Sequence, residues 1–213
     1  MIPVSAPRRV RDRLRRALDG PVPVLHRGPH ALYLDLDDRC LGVVAAGAVQ
    51  VPCALHTRLS ELPANGEPRV EDGTLHLGDV PLRIGRVTEP RVPALVRSRL
   101  GALRAEVGEL VGAGDGLTPY GDDVLCGWLA VHRASGHATD AVDAEVRDRL
   151  HRTTGLSAAL LECAMHGEVI PEFAAYVAAL GTAREEQATA TLRAIGHTSG
   201  AGLLEGAGWA LAA

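Results

Sequence analysis

One stretch restricts the fold more than any other: Gly112-Ala113-Gly114-Asp115-Gly116-Leu117-Thr118-Pro119-Tyr120-Gly121-Asp122-Asp123. Three glycines at alternate positions are costly inside a helix or strand, so they make a loop that needs unusual φ/ψ or a close backbone approach. Thr118 then Pro119 reads as a helix start, with Thr as N-cap and Pro at the first helical position. Val124, Leu125, Trp128, Leu129 and Val131 carry that helix into a core. A loop feeding a helix N-terminus offers unpaired N–H groups and a positive dipole end, which suits an anion. Asp115, Asp122 and Asp123 add carboxylates to the same end, suggesting a bridging cation, a positioned donor substrate or dipole stabilisation. As surface groups in a first turn they would each contribute only about 0.3–1 kcal/mol, so their removal should leave the fold intact. A tightly turned, well-capped helix is the structural alternative. The density of Gly, Thr and Asp exceeds what capping needs, which favours a site.

The glycine stretch lies in the second of two contrasting halves. From about residue 22 to 92, short apolar runs (31–36, 41–51, 74–77 and 80–87) alternate with Gly, Pro, Asp and Asn clusters, as strands joined by turns do. Asp72-Gly73 between Val70 and Leu75 is a hairpin signal. An arginine-rich amphipathic helix over 8–18, with Val10, Leu14, Ala17 and Leu18 on one face, precedes this region. From 94 onward the pattern is helical. Leu95, Leu100, Leu103, Val107 and Leu110 predict one helix leading into the glycine loop. Val142, Val146 and Leu150 predict another, and Leu156 to Cys163 a third, ended by Gly167. Pro171 opens a fourth, stopped by Gly181. Thr182 and Glu185 form a capping box for a fifth, ended by Gly196, and a last helix spans about 201–211. The expectation is an α+β fold, with a β-rich domain over 1–93 and a helical domain over 94–213.

The chain of 213 residues carries a net charge of −4, is 46% hydrophobic and has 22 basic residues, all arginine. The absence of lysine excludes a Walker lysine and a Schiff base, so any phosphate or carboxylate must be met by Arg, backbone N–H, hydroxyls or metal. The acidic balance and 3% aromatic content argue against nucleic acid. No apolar run is long enough to span a bilayer and no signal-peptide core opens the chain, so a cytoplasmic protein is expected. Cys40, Cys53, Cys126 and Cys163 are scattered and read as reduced, buried thiols. The histidines show no metal-ligand spacing.

Two further stretches share the physical type of the glycine loop. Thr153-Thr154-Gly155-Leu156-Ser157 and Gly196-His197-Thr198-Ser199-Gly200 each put hydroxyls and free N–H groups at a helix start. Thr118, Ser157 and Ser199 are therefore expected to converge on one pocket. His197 is the candidate proton handler, with a capping or packing role as its alternative. A Ser-His-Asp triad from Ser157 or Ser199, His197 and Asp122 has no nucleophile-elbow pattern behind it.

The run 112–123 resembles the G-x-G-x-G-L-T-P-S-G-D-D signature of the AllH-like subunit family of oxamate carbamoyltransferase. The helix start at 153–157 and the G-H-[ST]-S-G segment at 196–200 follow in the same order. Tyr120 stands where that family has Ser, and Gly202 where it commonly has an acidic residue. The resemblance implies reversible carbamoyl transfer between carbamoyl phosphate and oxamate, giving oxalurate and phosphate, with other subunits required. The resulting expectation is a transferase subunit or divergent member that takes a small anionic substrate. It would act with other protein subunits or as a homo-oligomer. Gly112, Gly114, Gly116, Thr118, Thr154, Ser157, Ser199 and Gly200 would bind substrate. Asp122, Asp123 and His197 are the catalytic candidates. Asp122 and Asp123 are also the residues for a divalent cation such as Mg. A non-catalytic interaction subunit and a metal-dependent hydrolase are the alternatives.

Overall fold

The computed structural model describes residues 1–212 and divides into two compact units, 1–89 and 90–213. The first unit is a nine-stranded sheet with one helix. Its elements are β1 (Ile2–Pro7), α1 (Arg8–Leu14), β2 (Gly20–Pro21), β3 (Val24–Arg27), β4 (Ala31–Leu36), β5 (Arg39–Val44), β6 (Ala54–His56), β7 (Pro68–Glu71), β8 (Thr74–Leu77) and β9 (Val80–Thr88). The strand order is β2-β7-β8-β9-β1-β6-β5-β4-β3, so β2 and β3 are its two edges. Eight steps of about 4.8 Å would separate those edges by nearly 40 Å in a flat sheet. Only Val22 and Pro23 join them, a reach of roughly 10 Å. The sheet must therefore curl until its edges meet. Val22 N–H bonds Pro68 O at one edge, and Pro23 O accepts from Asp35 N–H at the other.

Local chemistry fixes the turns. Asp72 and Gly73 take φ of 49° and 67°, the conformation of a two-residue hairpin turn, and join β7 to β8 as expected. Asp37 and Asp38 (φ 51° and 58°) do the same between β4 and β5. The apolar run 41–51 is not one strand. β5 stops at Val44, and the chain crosses over before β6 pairs parallel to β5. A parallel pair needs such a crossover, and Ala45, Val51 and Cys53 are apolar because the crossover itself is buried. Helix α1 ends at Leu14, four residues earlier than expected. Val10 and Leu14 enter the core beside Leu34, Leu55 and Leu75, whereas Leu18 lies beyond the helix and is 86% exposed.

The second unit is helical: α2 (Val107–Leu110), α3 (Tyr120–Ala134), α4 (Asp140–Arg149), α5 (Gly155–Met165), α6 (Pro171–Ala179), α7 (Glu185–Arg193) and α8 (Ser199–Leu211). The α+β class is thereby observed. Helix α3 is apolar nearly all round and is buried along almost its whole length. It packs against α8 so closely that backbones touch. A Cβ on Gly206 would stand 1.8 Å from Val124 O, and one on Gly127 2.1 Å from Leu203 O. The expected helix over 95–110 is reduced to α2 alone. Residues 94–106 run as an irregular strap, held by Leu95 N–H to Ala134 O, Gly101 N–H to Ala210 O and the Trp128 indole N–H to Gly101 O. Its leucines look periodic, but backbone bonds to α3 and α8 replace the helical ones. Gly167, Gly181 and Gly196 take φ of 69°, 72° and 61° just after α5, α6 and α7, the left-handed endings read from the sequence.

Candidate functional site

The glycine stretch joins α2 to α3. Gly112, Gly114 and Gly116 have φ of 77°, 118° and 89°, a region that disfavours side chains. They differ in surroundings. A Cβ at Gly112 would meet Arg152 O at 2.4 Å, and one at Gly114 would meet Tyr120 N at 2.8 Å, while one at Gly116 meets nothing within 4 Å. The loop is pinned at both ends. Gly112 N–H donates to Asp122 Oδ1 (2.9 Å) and Gly121 N–H to Ala113 O (2.8 Å). Thr154 Oγ1 donates to Leu117 O (2.5 Å) and accepts from Ser157 N–H (3.1 Å), so Thr154 is the N-cap of α5. Between the pins, the N–H groups of Gly114, Asp115, Gly116, Leu117 and Thr118 meet no acceptor among the described residues.

Asp122 and Asp123 are not surface carboxylates, contrary to the sequence reading. They are 0% and 4% exposed, because the first turn of α3 is enclosed by the loop, α5 and α8. Asp122 accepts from Gly112 N–H on one oxygen and from the Thr153 and Ser157 hydroxyls on the other, with Ser157 at 2.7 Å. Thr153 was missing from the sequence-derived site residues. Its one signal was its place beside Thr154 in a hydroxyl-rich helix start. Asp123 lies under the hydroxyl pair Thr118 Oγ1 and Ser199 Oγ, which are 2.8 Å apart. Burial pushes its carboxyl up to about 7, with hydrogen bonds from Ser199 and Thr118 opposing and the charge of Asp122 adding to the rise. Its Oδ2 is buried with no hydrogen-bond partner. A buried, incompletely bonded carboxyl shifted toward neutrality is a candidate for proton chemistry.

Thr118 does not cap α3. Pro119 holds the cap position, and the Thr118 hydroxyl reaches Ser199 on α8 instead. The structure thus brings the starts of α3 and α8 together through Thr118 and Ser199, and the starts of α3 and α5 through Asp122, Thr153 and Ser157. Gly202 allows the first of these junctions, since a Cβ there would stand 2.8 Å from the Asp123 Cβ. Tyr120 bonds Glu205 on α8, and that bond, ahead of burial, raises its phenol to about 12. Gly200 is buried, with its N–H already given to Ile195 O. His197 is exposed on the loop two residues before Ser199. Asp115 is exposed at the loop tip. Among the described residues no group of three His, Cys, Asp or Glu side chains is gathered to hold a metal ion. Asp122 and Asp123 therefore lack a third such ligand, and the oxygens of Asp122 already serve three donors.

The family model described as AllH, oxamate carbamoyltransferase subunit AllH, matches residues 110–211. The match opens two residues before the glycine loop and closes at the end of α8, so the similarity covers nearly all of the helical part and slightly under half of the chain. No curated protein and no solved structure matches the chain.

Proposed function

We propose that the chain is a carbamoyltransferase subunit, working with other protein subunits on a small carboxylate such as oxamate. One observation carries the reading. Five successive N–H groups, Gly114 to Thr118, find no acceptor among the described residues and lead into the helix turn that holds Asp123, a carboxyl that burial pushes up to about 7, within the region matching the AllH family. In carbamoyl transfer the oxamate nitrogen attacks the carbamoyl carbon. A C–N bond forms, the C–O bond to phosphate breaks, phosphate leaves with that electron pair, and the nitrogen sheds one proton. The loop N–H groups receive the phosphate or the oxyanion of the tetrahedral state, as aimed backbone donors do. Asp123 takes the proton through the Thr118 and Ser199 hydroxyls, and a group poised near neutrality can also return it in the reverse direction. Asp122, braced by Thr153 and Ser157, positions the loop, while Thr154 holds Leu117 in place. His197 completes the rim.

The test is carbamoyl phosphate formation from oxalurate and phosphate. The purified chain is assayed alone and together with its copurifying subunits, as wild type and as Asp123→Asn. Expected is turnover by the assembled wild type and loss of about 100-fold or more in the variant. Full activity in the assembled Asp123→Asn would end the proton-transfer role. Activity that persists when this chain is omitted would make it the non-catalytic interaction subunit. Hydrolysis of oxalurate without phosphate, lost with chelator and restored by Mg, would favour the metal-dependent hydrolase.

A further inference from the structure

The β-rich unit holds a cleft of about 470 Å³, far from a packing gap in size. Its origin is topological. β8 and β9 form two residue pairs, His76 with Pro81 and Leu77 with Val80, and then part. Beyond them, residues 82–88 of β9 pair with β1 alone, and no further backbone hydrogen bond among the described residues reaches them. A bulge at Gly85, which falls between the pairs Val4–Ile84 and Ser5–Arg86, bends the strand there. The slot between the parted strands has a buried floor of Leu14, Leu75 and Leu82. Its rim carries Arg11, Arg15, Arg83 and Arg86 against one carboxylate, Asp72. Arg11 is paired with Asp12 at 2.6 Å. Arg15, Arg83 and Arg86 have no carboxylate within ion-pair distance among the described residues. In a chain of net charge −4, four arginines against one carboxylate around one slot are a local reversal of sign.

From this juxtaposition we infer that the cleft is a docking groove for an acidic, extended segment of a partner chain, which adds as a strand along residues 82–88 of β9. The open strand edge calls for backbone partners, which a small anion does not supply. The arginine rim calls for carboxylates on the residues facing outward, and the leucine floor for apolar residues alternating with them. The groove lies in residues 11–87, outside the region that matches the family model, so it stands or falls apart from the carbamoyl-transfer reading.

The experiment uses a dye-labelled peptide that alternates glutamate with valine over about eight residues, titrated against the full chain by fluorescence anisotropy. Expected is saturable binding, weakened about tenfold or more by Arg83→Glu with Arg86→Glu, and as strongly by N-methylating alternate peptide amides. Circular dichroism confirms that the double variant is folded; if it is not, Arg83→Ser with Arg86→Ser replaces it. No binding at about millimolar peptide overturns the proposal. So does binding that inorganic phosphate abolishes and N-methylation leaves untouched, which would make the slot a small-anion site. Carbamoyl transfer by the assembled double variant should match wild type.

Discussion

Asp123 is the residue on which the proposed proton transfer and the stability of the fold pull in opposite directions. Its carboxyl titrates near 7 in the folded chain, against an ordinary value of 3.8, with burial as the first cause. Between those values the native state holds a proton that the unfolded state has released. Stability from this group is therefore fully present below about pH 4 and is lost as pH rises through 7, a change on the order of a few kcal/mol. Asp123→Asn should accordingly be more stable than wild type at pH 8 and nearly equal to it at pH 4, which denaturant melts at the two values will show. A variant less stable at pH 8 would mean that the ionised carboxylate is the form the fold prefers. Asp122 is held differently, its two oxygens accepting from three donors. Asp122→Asn should cost about 3 kcal/mol or more, since charge-assisted bonds are lost and buried hydroxyls are left to find new acceptors. A loss under about 1 kcal/mol would return it to the role of a dipole partner. Both aspartates stood out in the sequence as candidate site residues. Their burial was not, because the α5 and α8 residues that cover them lie some 30 to 80 positions away.

Among the elements, the glycine loop and the α3–α8 contact make separable predictions. Gly114→Ala must relieve both a positive φ and a 2.8 Å approach to Tyr120 N, whereas Gly116→Ala carries the strain of φ alone. Thermal melts should therefore show Gly116→Ala losing about 1 kcal/mol and Gly114→Ala distinctly more. Equal losses would mean that the loop is free to move away from α3. Because a Cβ at Gly116 enters open space, weakened phosphate binding in Gly116→Ala without a large stability loss would support the anion cradle. Gly206→Ala tests the other contact. A Cβ 1.8 Å from Val124 O forces α8 off α3, at about 2–3 kcal/mol, and should draw Ser199 away from Thr118. Helix ends and hairpins were legible because one or two residues decide them, as Asp72-Gly73, Gly167 and Gly181 do. The strap over 94–106 was misread as helix because its leucines are spaced like one. What it bonds is the backbone of two distant helices, and no local pattern announces that.

For the whole molecule, the family match over 110–211 and the compact unit from Pro90 onward give related boundaries. The fragment 90–213 made alone should keep its helical circular dichroism and a cooperative melt. A fragment that is unfolded at room temperature would show that its core is not self-sufficient. The β-rich unit has a different history, which follows from where its first strand sits. β1 lies inside the sheet, with β6 on one side and β9 on the other, and its long partner β9 starts roughly 70 residues downstream. A ribosome adding about 5–20 residues each second takes several seconds to cover that distance. For that interval β1 waits in the nascent chain with its main pairing edge bare. Synthesis that stalls before Val80 leaves a polypeptide open to mispairing, so the translation rate between β1 and the end of β9 and the supply of chaperones at the tunnel exit will govern how much of this protein a cell obtains.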